Sequence, residues 1–130
     1  MREAAIAVAR CEERGYLIVR RAEHETNPGR WEFAGGEVED GERPEDAARR
    51  ELEEETGLEG EIVREGDHFV GQGTTGKWRL HPFLVEVDGR EVELSREHDE
   101  HRWIRLSELE NLDTVGRMKA VEKLELAGDG

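Results

Sequence analysis

A chain of 130 residues can bury one hydrophobic core but is short for two, so one domain over residues 1–130 is expected. Only 35% of the residues are apolar and 40% are charged, which requires a compact core under a heavily ionised surface. The net charge of −14, from 33 acidic against 19 basic residues, repels phosphate backbones and anionic membranes and so argues against nucleic acid or membrane as partners.

The acidity serves solubility, or else a salty cytosol in which charges are screened beyond ~3 Å at 1 M salt. The dominance of arginine over lysine fits that halophilic reading. High charge with low hydropathy can also mean disorder, but apolar runs with strand and helix periods recur along nearly the whole chain, which favours a fold. Cys11 is the only cysteine, which excludes an internal disulfide or a cysteine metal cluster and reads as a small buried hydrophobe. No run approaches the ~20 apolar residues of a membrane span, and Met1-Arg2-Glu3 opens no signal-peptide pattern. A soluble cytoplasmic protein is the expectation.

In chain order, Ala4 to Ala9 and Tyr16 to Val19 read as strands joined by the turn Glu12-Glu13-Arg14-Gly15. Arg20 to Arg30, with Asn27-Pro28-Gly29, reads as a loop, and Trp31 to Phe33 as a brief strand entering Gly35-Gly36. Pro44 to Thr56 is the clearest helix. Pro44 suits its first position, Glu45 and Asp46 suit the positive end of its dipole, and Gly57 suits its carboxyl cap. Two extended segments follow, Glu61 to Val70 and Lys77 to Val87, linked by a loop over residues 71–76. A strand is expected over Arg102 to Arg105, and a last helix from near Val115 with an apolar stripe of Val115, Met118, Val121 and Leu124. The whole reads as a mixed sheet with helices packed against it.

The chemistry concentrates in one helix. Glu51, Glu54 and Glu55 stand at i, i+3 and i+4, with Cβ atoms about 5–6 Å apart. At an effective dielectric near 20, each pair at ~6 Å repels by roughly 3 kcal/mol. Protonation or a bound cation relieves that, and clustered hard oxygens suit Mg2+ or Mn2+. The plainer account is a solvated acidic face with i,i+4 pairs from Arg49 to Glu53 and Arg50 to Glu54. The glycines that frame the helix, Gly35-Gly36, Gly41 and Gly57, favour the cation, because a solvated helix needs no such framing.

Gly36, Glu42, Arg50, Glu51, Leu52, Glu54, Glu55, Gly57 and Leu58 resemble, without a gap, the signature box of the Nudix hydrolases, which here spans residues 36–58. The flanking strands, Trp31-Glu32-Phe33 and the last helix are also similar to a Nudix domain. One departure is Ala34, where many relatives carry proline; it loosens the loop and removes no ligand. The resemblance implies an α/β/α sandwich around a mixed β-sheet and hydrolysis of a diphosphate linkage in a nucleotide-like molecule. It implies that Glu51, Glu54 and Glu55, with the Gly35 carbonyl, hold Mg2+ or Mn2+, and that Arg50 orients Glu51 or its neighbours by ion pairing. Glu42 would brace the loop, with Gly36 and Gly57 structural, and Glu51 or Glu54 would deprotonate the attacking water. Glu97 resembles a glutamate that completes the site from outside the box in some relatives, with Glu100 its rival. A bound divalent ion would invert the local sign for an anionic substrate and acidify a water.

The remaining features are less specific. Residues 71–76 match GxGxxG, but strand-like sequence follows where a dinucleotide site needs a helix. Arg20, Arg21 and Lys77 are candidates to touch substrate phosphates, against surface ion pairing. Trp31, Trp78, Phe69 and His68 are candidates to stack on a base, against core packing, and Trp103 reads as core. His24, His81, His98 and His101 show no ligand spacing. Compatible substrates are a dinucleoside polyphosphate, a non-standard nucleoside triphosphate, a pterin triphosphate and ADP-ribose. The segment from Glu97 to Trp103 is more similar to that of the small triphosphate-cleaving relatives. A non-catalytic Nudix domain that senses a nucleotide is the alternative, and a homodimer is allowed.

Overall fold

The computed structural model describes residues 1–73, 76–114 and 119–126. Eight strands form one mixed sheet: β1 (Arg2–Cys11), β2 (Gly15–Arg21), β3 (Trp31–Glu32), β4 (Ala34–Glu37), β5 (Gly60–Glu65), β6 (Phe69–Gly73), β7 (Gly76–Val87) and β8 (His98–Ile104). Helix α1 is Pro44–Thr56, a 3-10 turn covers Leu106–Asn111, and α2 is Lys119–Lys123.

β1 is the spine. Along one edge it runs parallel to β7, from Arg2 opposite Trp78 to Arg10 opposite Glu86. Its other edge is divided: Ala4 to Ala7 pair with β4, and Arg10 and Cys11 pair with β2. β7 is divided likewise on its outer edge, between β6 near its start and β5 near its end.

The two faces of β1 differ in size as well as in side. Ala5, Ala7 and Ala9 meet Ala47, Ala48 and Leu52 of α1, all fully or almost fully buried. Methyl groups on both surfaces let the helix lie close to the sheet. On the opposite face Ile6 and Val8 pack with Phe33, Leu84, Leu109 and Leu124 under the 3-10 turn and α2. This is the α/β/α sandwich expected, with period-2 alternation in β1 dividing two cores.

Several boundaries depart from the sequence reading. The segment from Glu61 to Val70 is two strands, because the chain leaves the sheet at Gly66, where a Cβ would meet the Lys123 carbonyl at 2.6 Å. Gly71 to Gly73 lie in β6 and pair with β7, which begins at Gly76, so a strand follows the glycines where a dinucleotide site needs a helix; residues 74 and 75 lie outside the described residues. The strand expected from Arg102 begins four residues earlier, at His98, and this matters for the site. Val115 and Met118 lie outside the described residues; Leu124 is buried and Val121 packs beside it. Cys11 is buried and unpaired. Among the described residues no helix is long and apolar enough to cross a membrane.

Candidate functional site

Helix α1 starts and stops as its sequence dictates: Pro44 begins it and Gly57 ends it at φ +75°, donating its N–H to the Glu53 carbonyl at 2.8 Å. No basic residue lies in the last turn. The incoming segment before β8 compensates, with Ser95 N–H donating to the Glu55 carbonyl at 3.1 Å and Glu93 N–H to that of Thr56 at 2.9 Å. These contacts satisfy helix-end acceptors and carry Glu97 and His98 to the side of Glu55.

The helix face towards β4 holds two groups of acids. In the outer group, Arg50 donates from Nε to Glu42 at 2.8 Å, and from Nη1 to Glu51 at 2.9 Å and Glu54 at 3.3 Å. Its Nη2 donates to Glu42 and to the Glu37 carbonyl, both at 3.0 Å, fastening the helix to the end of β4. The Arg50 guanidinium holds Glu42 below the usual carboxylate range, and Arg50 itself is pushed up, first by its bond to Glu42. Glu51 moves the opposite way: burial raises it against the pull of Arg50, and Glu54 and Glu97 add to the rise. Gly36 makes room for this carboxyl, since a Cβ there would lie 2.5–2.7 Å from the carboxyl atoms of Glu51. The Arg50–Glu54 pair expected from spacing is present, whereas Arg49 approaches Asp46 at 3.8 Å rather than Glu53.

The inner group centres on Glu55, 2% exposed. Its Oε2 accepts the Gly35 N–H at 2.8 Å. Its pKa is pushed up to about 9, chiefly by burial; the Gly35 bond opposes this, while Glu97, Glu51 and Glu32 reinforce it. Beside it lies His98, whose Nε2 is 2.8 Å from Glu32 Oε2, and the same oxygen accepts from Arg21 Nη1 at 3.0 Å. Glu55 Oε1 and His98 Nδ1 face each other at 3.9 Å, both buried and both without a hydrogen-bond partner.

Glu32 and His98 were not among the residues expected at the site; His98, for which the sequence shows no ligand spacing, lies with Glu32 and Glu55 in a group that could hold a metal ion. A bulge explains the omission. In the β2–β8 ladder Arg20 pairs with Glu100, but Arg21 pairs with His98, leaving Asp99 as the extra residue. Regular alternation would set His98 on the face of Glu100 and Arg102; the bulge turns it to the face of Arg21, towards α1. Glu32, opposite Val19 in the β2–β3 ladder, shares that face. An acid between the buried aromatics Trp31 and Phe33 was the available signal for Glu32.

The other candidates scatter. Glu97 is exposed beside the box, close enough for its charge to raise both Glu51 and Glu55. Glu100 instead pairs with Arg20 and Arg102. Arg20 also bonds Asp99 at 2.8 Å, and Arg21 is engaged with Glu25, Thr26 and Glu32. Trp31 is buried in the core, with Arg102 4.7 Å and Arg20 5.9 Å from its ring centre. Lys77 is exposed on the β6–β7 hairpin, Phe69 is core, and Trp78 is half-buried beneath Arg2. His68 is exposed beside His81, and Trp103 packs at the edge of the α1-side core.

Glu32, Glu55 and His98 together are able to hold a divalent cation, each offering a ligand atom within 4.8 Å of the others. The residues fit such an ion: two inward atoms have no partner, and the acids of α1 gain from a positive charge.

Comparison with known proteins gives the family. The model of the NUDIX domain matches residues 1–124. An RNA pyrophosphohydrolase of Sphingopyxis alaskensis is 34% identical over 108 residues, covering 68% of each chain. An octanoyltransferase of Myxococcus xanthus is 36% identical over 95% of this chain, which spans only 36% of that protein. Among solved structures, a MutT protein from Methanosarcina mazei superimposes with a TM-score of 0.77 at 25% identity, over 99% of this chain and 96% of that one.

Proposed function

From the fact that this chain belongs to the Nudix family, we propose that it hydrolyses a diphosphate linkage in a nucleoside polyphosphate or nucleoside-diphosphate derivative, with Mg2+ or Mn2+. The carrying observation is Glu55: a buried carboxyl pushed up to about 9, with one oxygen lacking a partner, in a nest of further acids. Such a group ionises readily only when a cation joins it.

Glu51, Glu54, Glu55, Glu97 and the Gly35 carbonyl are assigned to the ion, which when bound supplies the positive charge that phosphate oxygens and an attacking water require. Arg50 holds Glu51 and Glu54 in place, as its bonds to both suggest. Glu51 is the better proton acceptor of the two, because burial raises its pKa towards the range where a general base is effective. Arg20 and Lys77 are assigned to the substrate phosphates, while Arg21, engaged with Glu32, braces the interior. The net charge of −14 favours a small nucleotide over an RNA chain.

The test is phosphate release from a panel of nucleoside triphosphates, dinucleoside polyphosphates, a pterin triphosphate and ADP-ribose, with Mg2+, Mn2+ or chelator. At least one should turn over, and chelator should stop it. Nucleotide binding without turnover of any would replace this proposal with a sensing role.

A further inference from the structure

The interior pair at the end of α1 has a feature that box carboxylates alone do not explain. Glu32 accepts from Arg21 and is therefore a carboxylate, to which His98 Nε2–H donates a hydrogen bond. In the neutral ring this leaves Nδ1 as a lone pair. Nδ1 faces Glu55 Oε1 across 3.9 Å, and neither atom has a hydrogen-bond partner. Two buried polar atoms left without partners cost free energy unless something joins them. The gap exceeds a hydrogen bond, so a shared proton does not fit it. A divalent ion does, since ligands at about 2.0–2.2 Å from one centre stand roughly 3–4 Å apart.

We propose that His98 Nδ1 is a nitrogen ligand to a divalent ion held jointly with Glu55 Oε1, so that this interior position takes Mn2+, Co2+ or Zn2+ in preference to Mg2+. This rests on the cation reading of Glu55 above, and not on any turnover. A carboxylate on the other ring nitrogen is the arrangement that orients a metal-binding imidazole and strengthens it as a ligand, and here Arg21 in turn secures that carboxylate. Imidazole nitrogen suits Mn2+, Co2+ and Zn2+, whereas Mg2+ keeps to oxygen. The side chains involved are almost wholly buried, His98 at 0%, Glu55 at 2% and Glu32 at 3%, so solvent cannot satisfy either orphaned atom.

The experiment uses the full chain, stripped of metal, with less than one equivalent of Mn2+ and pulsed electron paramagnetic resonance. Coupling of the bound ion to a 14N nucleus is expected, replaced by the 15N pattern when the protein is made with 15N-histidine. His98→Gln should still bind Mn2+ through the carboxylates, lose the coupling, and lower the preference for Mn2+ over Mg2+ by about tenfold or more. Glu32→Gln, which leaves the ligand in place, should weaken Mn2+ binding by roughly 10-fold and keep the coupling. The labelled protein needs no substitution, so instability of a variant does not blur the result. Bound Mn2+ without histidine coupling, coupling that survives His98→Gln, or no Mn2+ binding would overturn the proposal. Oxygen-only Mn2+ with intact hydrolysis defeats this inference alone, and histidine-bound Mn2+ with no substrate cleaved defeats the hydrolase reading alone.

Discussion

The outer and inner acids of α1 sit one turn apart and solve opposite problems. Around Arg50 one guanidinium serves Glu42, Glu51 and Glu54, partly in solvent, and every bond is made within the protein. Around Glu55 the surroundings are dry, Arg21 bonds the neighbouring Glu32, and two polar atoms are left over. The first region is already paired within the protein, with Arg50 holding Glu51 and Glu54 in place. The second is incomplete, and incompleteness in a buried site is what identifies a place for an ion.

Substitutions can break this contrast in graded steps. The largest effect is expected for Glu54→Gln with Glu55→Gln: phosphate release should fall by more than about 100-fold, beyond what loss of an outer support produces, with the fold retained by circular dichroism. Full activity in the double variant would remove both carboxylates from the proposed site. Next, Gly36→Ala places a methyl 2.5–2.7 Å from the Glu51 carboxyl. Because the end of that side chain can swing aside, melting temperature should barely change while turnover drops by about 10–100-fold through misplacement. Equal losses of stability and activity would mean that Gly36 serves the backbone instead.

Arg50→Ala should cost about 1–3 kcal/mol in denaturant unfolding, a figure tempered by the partial exposure of the pairs, and most of it should vanish at high salt. The last effect is the one with a sign. Glu55 is raised from 4.5 to about 9 in the folded chain, so its contribution is fully present below pH 4.5 and is lost as pH rises through 9. In chelator, Glu55→Gln should therefore gain melting temperature relative to the parent as pH climbs from 5 to 9, and divalent ion should close the difference. A constant offset across that range would mean that Glu55 titrates normally.

Legibility divided along the same line. The outer group was readable because helical spacing alone brings Glu51, Glu54 and Arg50 together, and the bounds of α1 followed from Pro44 and Gly57. The inner group joins Glu32 and His98, 66 residues apart, through two ladders that flank β2, and no local period encodes that. Worse, regular alternation in β8 assigns His98 to the wrong face. The division of β7 between β5 and β6 was hidden for a related reason: one long partner strand and two short ones leave the same apolar pattern.

Asp99 points to a further consequence. Its side chain bonds only Arg20 on the surface among the contacts described, yet its presence as one additional unit of chain decides which way the imidazole turns. Deleting it would preserve each ligand, each glycine and the entire box while rotating the histidine out of the interior. Spacing outside a motif can thus carry as much chemical meaning as the letters within it, and a relative that lacks that one residue would be expected to handle its metal differently.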